Sequence, residues 1–253
     1  MKEIAFFDLL LLIMFVLAAS VFIALFFVAA PYGRHSRRGW GPALSPRFGW
    51  IIMEAAAPLV FLACYAAGPS VNSVAALVFL SMWELHYLHR AFIFPFSMRN
   101  QAGRMTLVVI GLGFLFNTAN AYLNGRYVFH FSGGYPADWL TRPTFIIGAT
   151  IFAGGFIINR HADWTLRGLR RPGESGYKIP YGGLYRWISC PNYSGEILVW
   201  LGWAVATWSL PGLAFAVWTA ANLVPRARSH QRWYRERFPD YPARRKALVP
   251  LVW

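Results

Sequence analysis

Leu9–Ala30 reads LLLLIMFVLAASVFIALFFVAA, 22 residues without a single charge. A helix of about 20 residues crosses the roughly 30 Å hydrocarbon core of a bilayer. Only a structure that satisfies its own backbone polar groups is stable there, which makes this stretch a helix. It lacks a basic segment before it and is too long for the apolar part of a signal peptide, so it is expected to be retained.

The same reading carried outward finds about seven spans: Asp8–Ala30, Gly49–Ala67, Val71–Pro95, Met105–Leu123, Pro143–Ile158, Gly195–Trp208 and Pro211–Val224. The last two are short and share the corner Ser209–Leu210–Pro211, which predicts a tight transmembrane hairpin. The whole chain fits this picture. It is 57% hydrophobic and 13% charged, whereas a soluble domain carries about a quarter charged residues. The expected fold is therefore all-α and membrane-embedded. With no internal repeat or linker, it forms one domain over residues 1–253.

The net charge is +14, a value that in a soluble protein would suggest nucleic acid. Here the positive charges sit in short segments between apolar runs. Arg34, Arg37, Arg38 and Arg47 fill the first connection, Arg90, Arg99 and Arg104 flank the third span, and Arg226–Lys246 is basic throughout. That pattern reads as topology and as contact with anionic lipid headgroups. It places the N-terminus outside and the basic side in the cytosol, and no nucleic-acid partner is expected. Cys64 and Cys190 should lie at different depths, without a disulfide.

Four polar groups stand out. Glu54 lies inside the second span, where a carboxyl must be paired, protonated or beside a water-filled cavity. As an acid it could donate a hydrogen bond to a substrate oxygen, as a protonated aspartic acid does in ketosteroid isomerase. Trp83–Arg90 (WELHYLHR) crowds polar groups into two turns near the cytosolic end of the third span, with Tyr87 a candidate phenol donor. His86 and His89 have ligand-like spacing, but no further histidine box accompanies them, so no metal is expected. Asn159 and Asp163 share one helix face and are followed by Arg167, Arg170 and Arg171, a set suited to ribose hydroxyls and phosphates. Cys190–Glu196 (CPNYSGE) leads into the hairpin, with Glu196 expected near a helix start. From Asn159 to Asn192 the chain should form an ordered cytosolic platform, because Trp164, Tyr177, Tyr181, Tyr185 and Trp187 are too aromatic for a solvated loop. No Gly-rich nucleotide motif of the Rossmann or P-loop type occurs.

The sequence resembles a known family, the steroid 5-alpha-reductases, in a bacterial-type form. The resemblance rests on Asn159–Asp163 (NRHAD), Arg167–Tyr185 (RGLRRPGESGYKIPYGGLY), Ser189–Glu196 (SCPNYSGE), Ala206–Pro211 (ATWSLP) and Asp240–Pro250 (DYPARRKALVP). In the first half it rests on Tyr32–Gly33, Glu54 and His86–Arg90. Met53 departs from the animal members, which carry a glutamine there. The resemblance implies a seven-helix membrane reductase that takes NADPH from the cytosolic side and delivers hydride to the beta carbon of an enone such as a 3-oxo-4-ene steroid. It implies that Glu54 and Tyr87 hydrogen-bond the ketone oxygen. It further implies that Arg104, Asn159, Asp163, Arg170, Tyr177, Lys178, Asn192, Glu196, Arg226, His230 and Tyr234 contact the cofactor. Residues 1–125 would then hold the lipid-like substrate in an apolar cavity and 126–253 the cofactor, in a monomer of the bacterial inner membrane or endoplasmic reticulum.

Other readings are an enoyl-thioester or polyprenol reductase, an isoprenylcysteine-type methyltransferase using S-adenosylmethionine, and a non-catalytic lipid-binding scaffold. The dense Arg/Lys set argues against the methyltransferase, whose cofactor has no phosphates. Glu54 and Asn159 argue against a scaffold, which would need neither.

Overall fold

The structure, a computed structural model, describes residues 1–28, 41–69, 71–98, 103–169, 174 and 176–253. Each of the seven expected spans is a helix: α1 (Lys2–Phe27), α2 (Pro46–Ala66), α3 (Val74–Leu88), α5 (Leu107–Arg126), α6 (Pro143–Gly168), α7 (Pro191–Thr207) and α8 (Leu210–Arg237), with a short α4 (Phe94–Ser97). Four of them, α1, α2, α5 with its extension, and α6, are long and apolar enough to cross a membrane unaided. The described residues hold a single two-stranded ribbon, β1 (Ala43–Leu44) antiparallel to β2 (Met105–Thr106).

The helix starts are written in the sequence. Proline opens α2, α6 and α7 and stands early in α8, where its missing N–H is one that no intrahelical carbonyl could use. Ser45 caps α2 by accepting from the Phe48 N–H. The corner between α7 and α8 is as tight as expected. Trp208 adopts φ 47°, Thr207 and Ser209 hydroxyls meet at 2.8 Å, and Ser209 Oγ accepts from the Gly212 N–H at 3.0 Å.

Helix ends are less legible. Hydropathy ends the fifth span at Ile158, but α6 runs on to Gly168, so Asn159 and Asp163 share one helix face as expected, on a continuation of the span itself. Likewise α8 continues thirteen residues beyond Val224, through Pro225. The α8 extension carries five arginines, which are good helix formers, while the α6 extension is mostly polar. A polar sequence ends the buried length but not the helix. Of the five platform aromatics only Tyr185 is buried, while Trp164, Tyr177, Tyr181 and Trp187 are exposed. The end of this segment is tied to the C-terminal tail: the Ser189 N–H donates to the Lys246 carbonyl at 2.8 Å and the Lys246 N–H to the Trp187 carbonyl at 2.8 Å.

The core is aromatic. Trp83 is fully buried, stacked on Phe61 at 4.4 Å and edge-on or tilted against Trp200 and Trp203 at 5.3 Å each. Its indole N–H donates to the Ala57 carbonyl at 3.3 Å, which satisfies the one polar atom this residue buries. Cys64 and Cys190 are both buried and form no disulfide, one in α2 and one at the start of α7.

The α6–α7 contact is the most extensive in the molecule, and it is a backbone contact. A Cβ on Gly148 would lie 2.2 Å from the Ala206 nitrogen, on Gly155 2.6 Å from the Val199 nitrogen, on Gly195 2.5 Å from the Asn159 nitrogen, and on Gly202 2.3 Å from the Phe152 nitrogen. Each helix therefore carries a glycine pair seven residues apart, two turns along one face. Between membrane helices, where lipid competes equally for apolar surface, small residues permit the close approach that supplies packing energy.

Candidate active site between the α2–α3–α5 core and the α6–α7 seam

Tyr87 lies in the last turn of α3 and is 2% exposed. Beyond it the helix widens into a π turn over His89–Ile93, and the cause is visible in the sequence. The Phe94 N–H donates to the His89 carbonyl, which leaves the Arg90 carbonyl facing Pro95, a residue with no N–H to give. The orphaned Arg90 carbonyl accepts instead from the indole N–H of Trp50 at 3.0 Å. Arg90 itself stacks over the Trp50 ring at 5.1 Å and donates from Nε to Glu54 Oε1 at 3.2 Å. Single π turns of this kind often mark functional sites.

Glu54, buried in α2, is thus paired, one of the three situations an acid in a span requires. Asn117 of α5 adds a second donor, reaching Glu54 Oε2 at 3.4 Å and the Met53 carbonyl at 2.8 Å. Four residues after Glu54, Pro58 interrupts the helix hydrogen bonding, so the Glu54 carbonyl loses its usual i+4 donor. Asn120 lies one turn beyond Asn117, fully buried beside Tyr87, with its Nδ2 donor unpartnered. Asn124 completes the face, accepting from Trp203 Nε1 at 2.8 Å.

A second polar cluster lies on the α6–α7 seam. Asn159 donates to Glu196 Oε2 at 2.9 Å and to the Asn192 carbonyl at 2.8 Å. Asn192 reaches Asp163 Oδ1 at 3.5 Å, and Arg160 pairs with Asp163 at 3.5 Å. Glu196 also accepts from Trp200 Nε1 at 3.1 Å. It does not sit at the helix start as expected, because α7 begins at Pro191, and Glu196 is one turn deeper and buried. There it meets His86 Nε2 at 3.3 Å. That contact joins the two clusters, since His86 precedes Tyr87 on α3. His89, the other candidate ligand, lies against Arg160. No group of metal-ligating side chains occurs among the described residues.

Four of the expected cofactor residues, Asn159, Asp163, Asn192 and Glu196, are therefore brought together. A third group adjoins them through Tyr193: its hydroxyl meets His230 Nε2 at 3.0 Å and accepts from Arg226 at 3.2 Å. Tyr234, one turn after His230 on α8, stacks on Tyr241 at 5.3 Å, and Tyr177 packs edge-on against Trp233 at 4.9 Å. Tyr185 closes the layer beneath. Its hydroxyl donates to the Ala162 carbonyl at 3.4 Å, and burial holds its phenol well above the usual range, so it stays neutral. Lys178 pairs with Glu174 at 2.6 Å, and Arg104 donates to the Ala43 carbonyl of the ribbon at 2.9 Å, so neither is tied to the seam. Arg170 lies outside the described residues.

The sequence reading passed over Arg90 as Glu54's partner, Asn117, Asn120, Arg160 and Trp200. The asparagines had a legible signal: three amides at i, i+3 and i+7 inside an apolar span fall on one helix face.

Comparison with known proteins bears directly on this arrangement. The family model described as 3-oxo-5-alpha-steroid 4-dehydrogenase matches residues 103–253. Steroid 5-alpha-reductase DET2 of Gossypium hirsutum is 40% identical over 247 residues, 96% of each chain. 3-oxo-5-alpha-steroid 4-dehydrogenase 1 of Bos taurus is 41% identical over 240 residues, 93% of each chain. The Rattus norvegicus protein of the same name is 40% identical over 255 residues, covering 100% of this chain and 97% of its own. The chain belongs to the steroid 5-alpha-reductase family. As a member it is an oxidoreductase acting on CH–CH bonds in the membrane. Membership sets aside the methyltransferase and the scaffold. The family model covers the seam and the tail, and the full-length relatives extend the match across Glu54 and Tyr87.

Proposed function

We propose that this reductase saturates the C4–C5 double bond of 3-oxo-4-ene steroids with NADPH. Beyond family membership, the carrying observation is the His86–Glu196 contact at 3.3 Å, which sets a buried set of hydrogen-bonding groups beside a polar seam suited to a nucleotide. The fit is chemical. Asn159 and Asp163 offer amide and carboxylate groups to ribose hydroxyls or a carboxamide. Arg226 and Arg170, with Arg104 and Lys178, suit phosphates, and Tyr177 and Tyr234 offer ring faces. NADPH, when bound, would supply the hydride that adds to C5, and a proton added at C4 completes the saturation.

The residues of the core then act on the ketone. Tyr87 donates a hydrogen bond to its oxygen, and Glu54 is the second contact. As electrons arrive, negative charge grows on that oxygen, so these bonds strengthen toward the transition state. The Asn120 Nδ2 donor beside Tyr87 is in reach to hold the phenol's orientation. A carboxyl donates only as the acid, so Glu54→Gln, which donates through its amide, separates donation from charge pairing with Arg90. The aromatic core excludes water from the reacting atoms. Residues 1–125 form the substrate side in this reading and 126–253 the cofactor side, with the basic ends of α6 and α8 cytosolic.

The test is turnover of a 3-oxo-4-ene steroid with NADPH deuterated at the transferable position. Deuterium at C5 of a 5-alpha-reduced product supports the proposal. Reduction of an enoyl thioester or a polyprenol with the steroid left untouched sinks it.

A further inference from the structure

The end of α8 has two basic faces, and the cofactor reading uses only one. Arg226, His230 and Tyr234 follow one another at i, i+4 and i+8 and face Tyr193 and Tyr241. Arg228, Arg232 and Arg235 lie at i, i+4 and i+7 on the opposite side of the same helix, all three exposed. They line, with Gln231 and Glu236, a surface depression of about 360 Å³.

Two observations place that depression at the membrane surface. The Arg228 guanidinium lies 5.8 Å over the ring of Phe26, at the end of α1. The apolar flank of α1 is left exposed over nearly its whole length, including Leu12, Val16, Ile23 and Phe27, a surface suited to acyl chains. Helix α8 has 28 residues, about 42 Å at 1.5 Å per residue, so its last turns stand beyond a hydrocarbon core of about 30 Å. An arginine at that level, its guanidinium over a lipid-facing ring, holds its charge among headgroups. No ion pair among the described residues engages Arg228, Arg232 or Arg235, and the one acid lining the depression, Glu236, leaves it with an excess of positive charge.

We propose that this depression on the α1–α8 edge binds the phosphate of an anionic phospholipid headgroup, with Arg228 and Arg232 as its principal contacts. The acyl chains would lie along the exposed face of α1. Arg235 also donates to the Ala243 and Arg245 carbonyls, so it shapes the site and ties it to the tail. The lipid would thus clamp α1 to the helix whose opposite face serves the cofactor.

The experiment uses the full chain in nanodiscs of phosphatidylcholine with and without phosphatidylglycerol, comparing wild type with the Arg228→Gln/Arg232→Gln variant. Native mass spectrometry reads retained lipid, thermal unfolding reads stabilisation, and NADPH titration reads the opposite face. The wild type should retain phosphatidylglycerol and unfold at a higher temperature in its presence. The double variant should bind it about thirtyfold more weakly, as expected for two arginines at a charged surface, with NADPH affinity unchanged. Equal retention by both proteins overturns the proposal. So does equal stabilisation of wild type by inorganic phosphate alone, which would make this a general anion site, or a loss of NADPH affinity in the double variant. Because both substituted residues are exposed, the unfolding curve in phosphatidylcholine checks that the variant is folded.

Discussion

Replacing Gly195 with alanine tests whether the α6–α7 seam positions the site. The added Cβ would lie 2.5 Å from the Asn159 nitrogen, 2.7 Å from the Gly155 oxygen and 2.9 Å from the Asn159 Cα. All three are backbone atoms, so no side chain can swing away. Carbon contacts are comfortable from about 3.5 Å, and the helices must separate there by about 1 Å. Overpacking of this kind costs about 1–3 kcal/mol. The same displacement stretches the 2.9 Å Asn159–Glu196 hydrogen bond beyond useful length, a further loss of about 1 kcal/mol. We expect a fall in Tm of roughly 5–10 °C in detergent and in kcat/KM of about a hundredfold, the usual consequence of a 1 Å misplacement. Two controls make the test local. Gly154→Ala meets nothing within 4 Å and should leave both quantities near wild type. Gly202→Ala meets the Phe152 nitrogen at 2.3 Å but stands about 9 Å along α7 from Glu196, so it should lose stability while keeping more of its cofactor affinity. Wild-type stability and turnover in Gly195→Ala, or equal damage from Gly154→Ala, would refute the reasoning.

Three further outcomes are expected. Tyr87→Phe should lower single-turnover reduction about a hundredfold with NADPH affinity retained; normal turnover on several enones would remove Tyr87 from the chemistry. Glu54→Ala should lose about 2–3 kcal/mol of stability, because Arg90, whose side chain is 26% exposed, keeps its charge without its partner, and Glu54→Gln should retain more activity than Glu54→Ala. Loss of NADPH binding in place of chemistry would reassign Glu54 as a helix–helix contact. NADPH should outperform NADH in kcat/KM, since the arginine and lysine surplus around α6 suits a 2′-phosphate, and equal efficiency would count against that assignment.

Which stretches are apolar enough to lie in the membrane follows from the chain alone. Uncharged runs such as Leu9–Ala30 have one stable form in hydrocarbon; Pro143 opens its helix as the span reading has it, whereas Pro46 and Pro191 open α2 and α7 ahead of the spans expected from Gly49 and Gly195. The Ser209–Pro211 corner was a local signal. The identity of the polar groups was also legible, because Glu54, Asn159 and Glu196 are costly in apolar surroundings whatever their partners. Partners were not. Arg90 follows Glu54 by 36 residues and His86 precedes Glu196 by 110, and only the packing of α2, α3 and α7 brings them within 3.3 Å. The depth of Glu196 and the lengths of α6 and α8 likewise depend on what covers their polar turns, since hydropathy measures the solvent a residue prefers and not the neighbour that replaces it. The glycines at 148, 155, 195 and 202 show the division most plainly. Their spacing is visible in the chain, but its meaning, two backbones in contact beside the candidate site, exists only once both helices are in place.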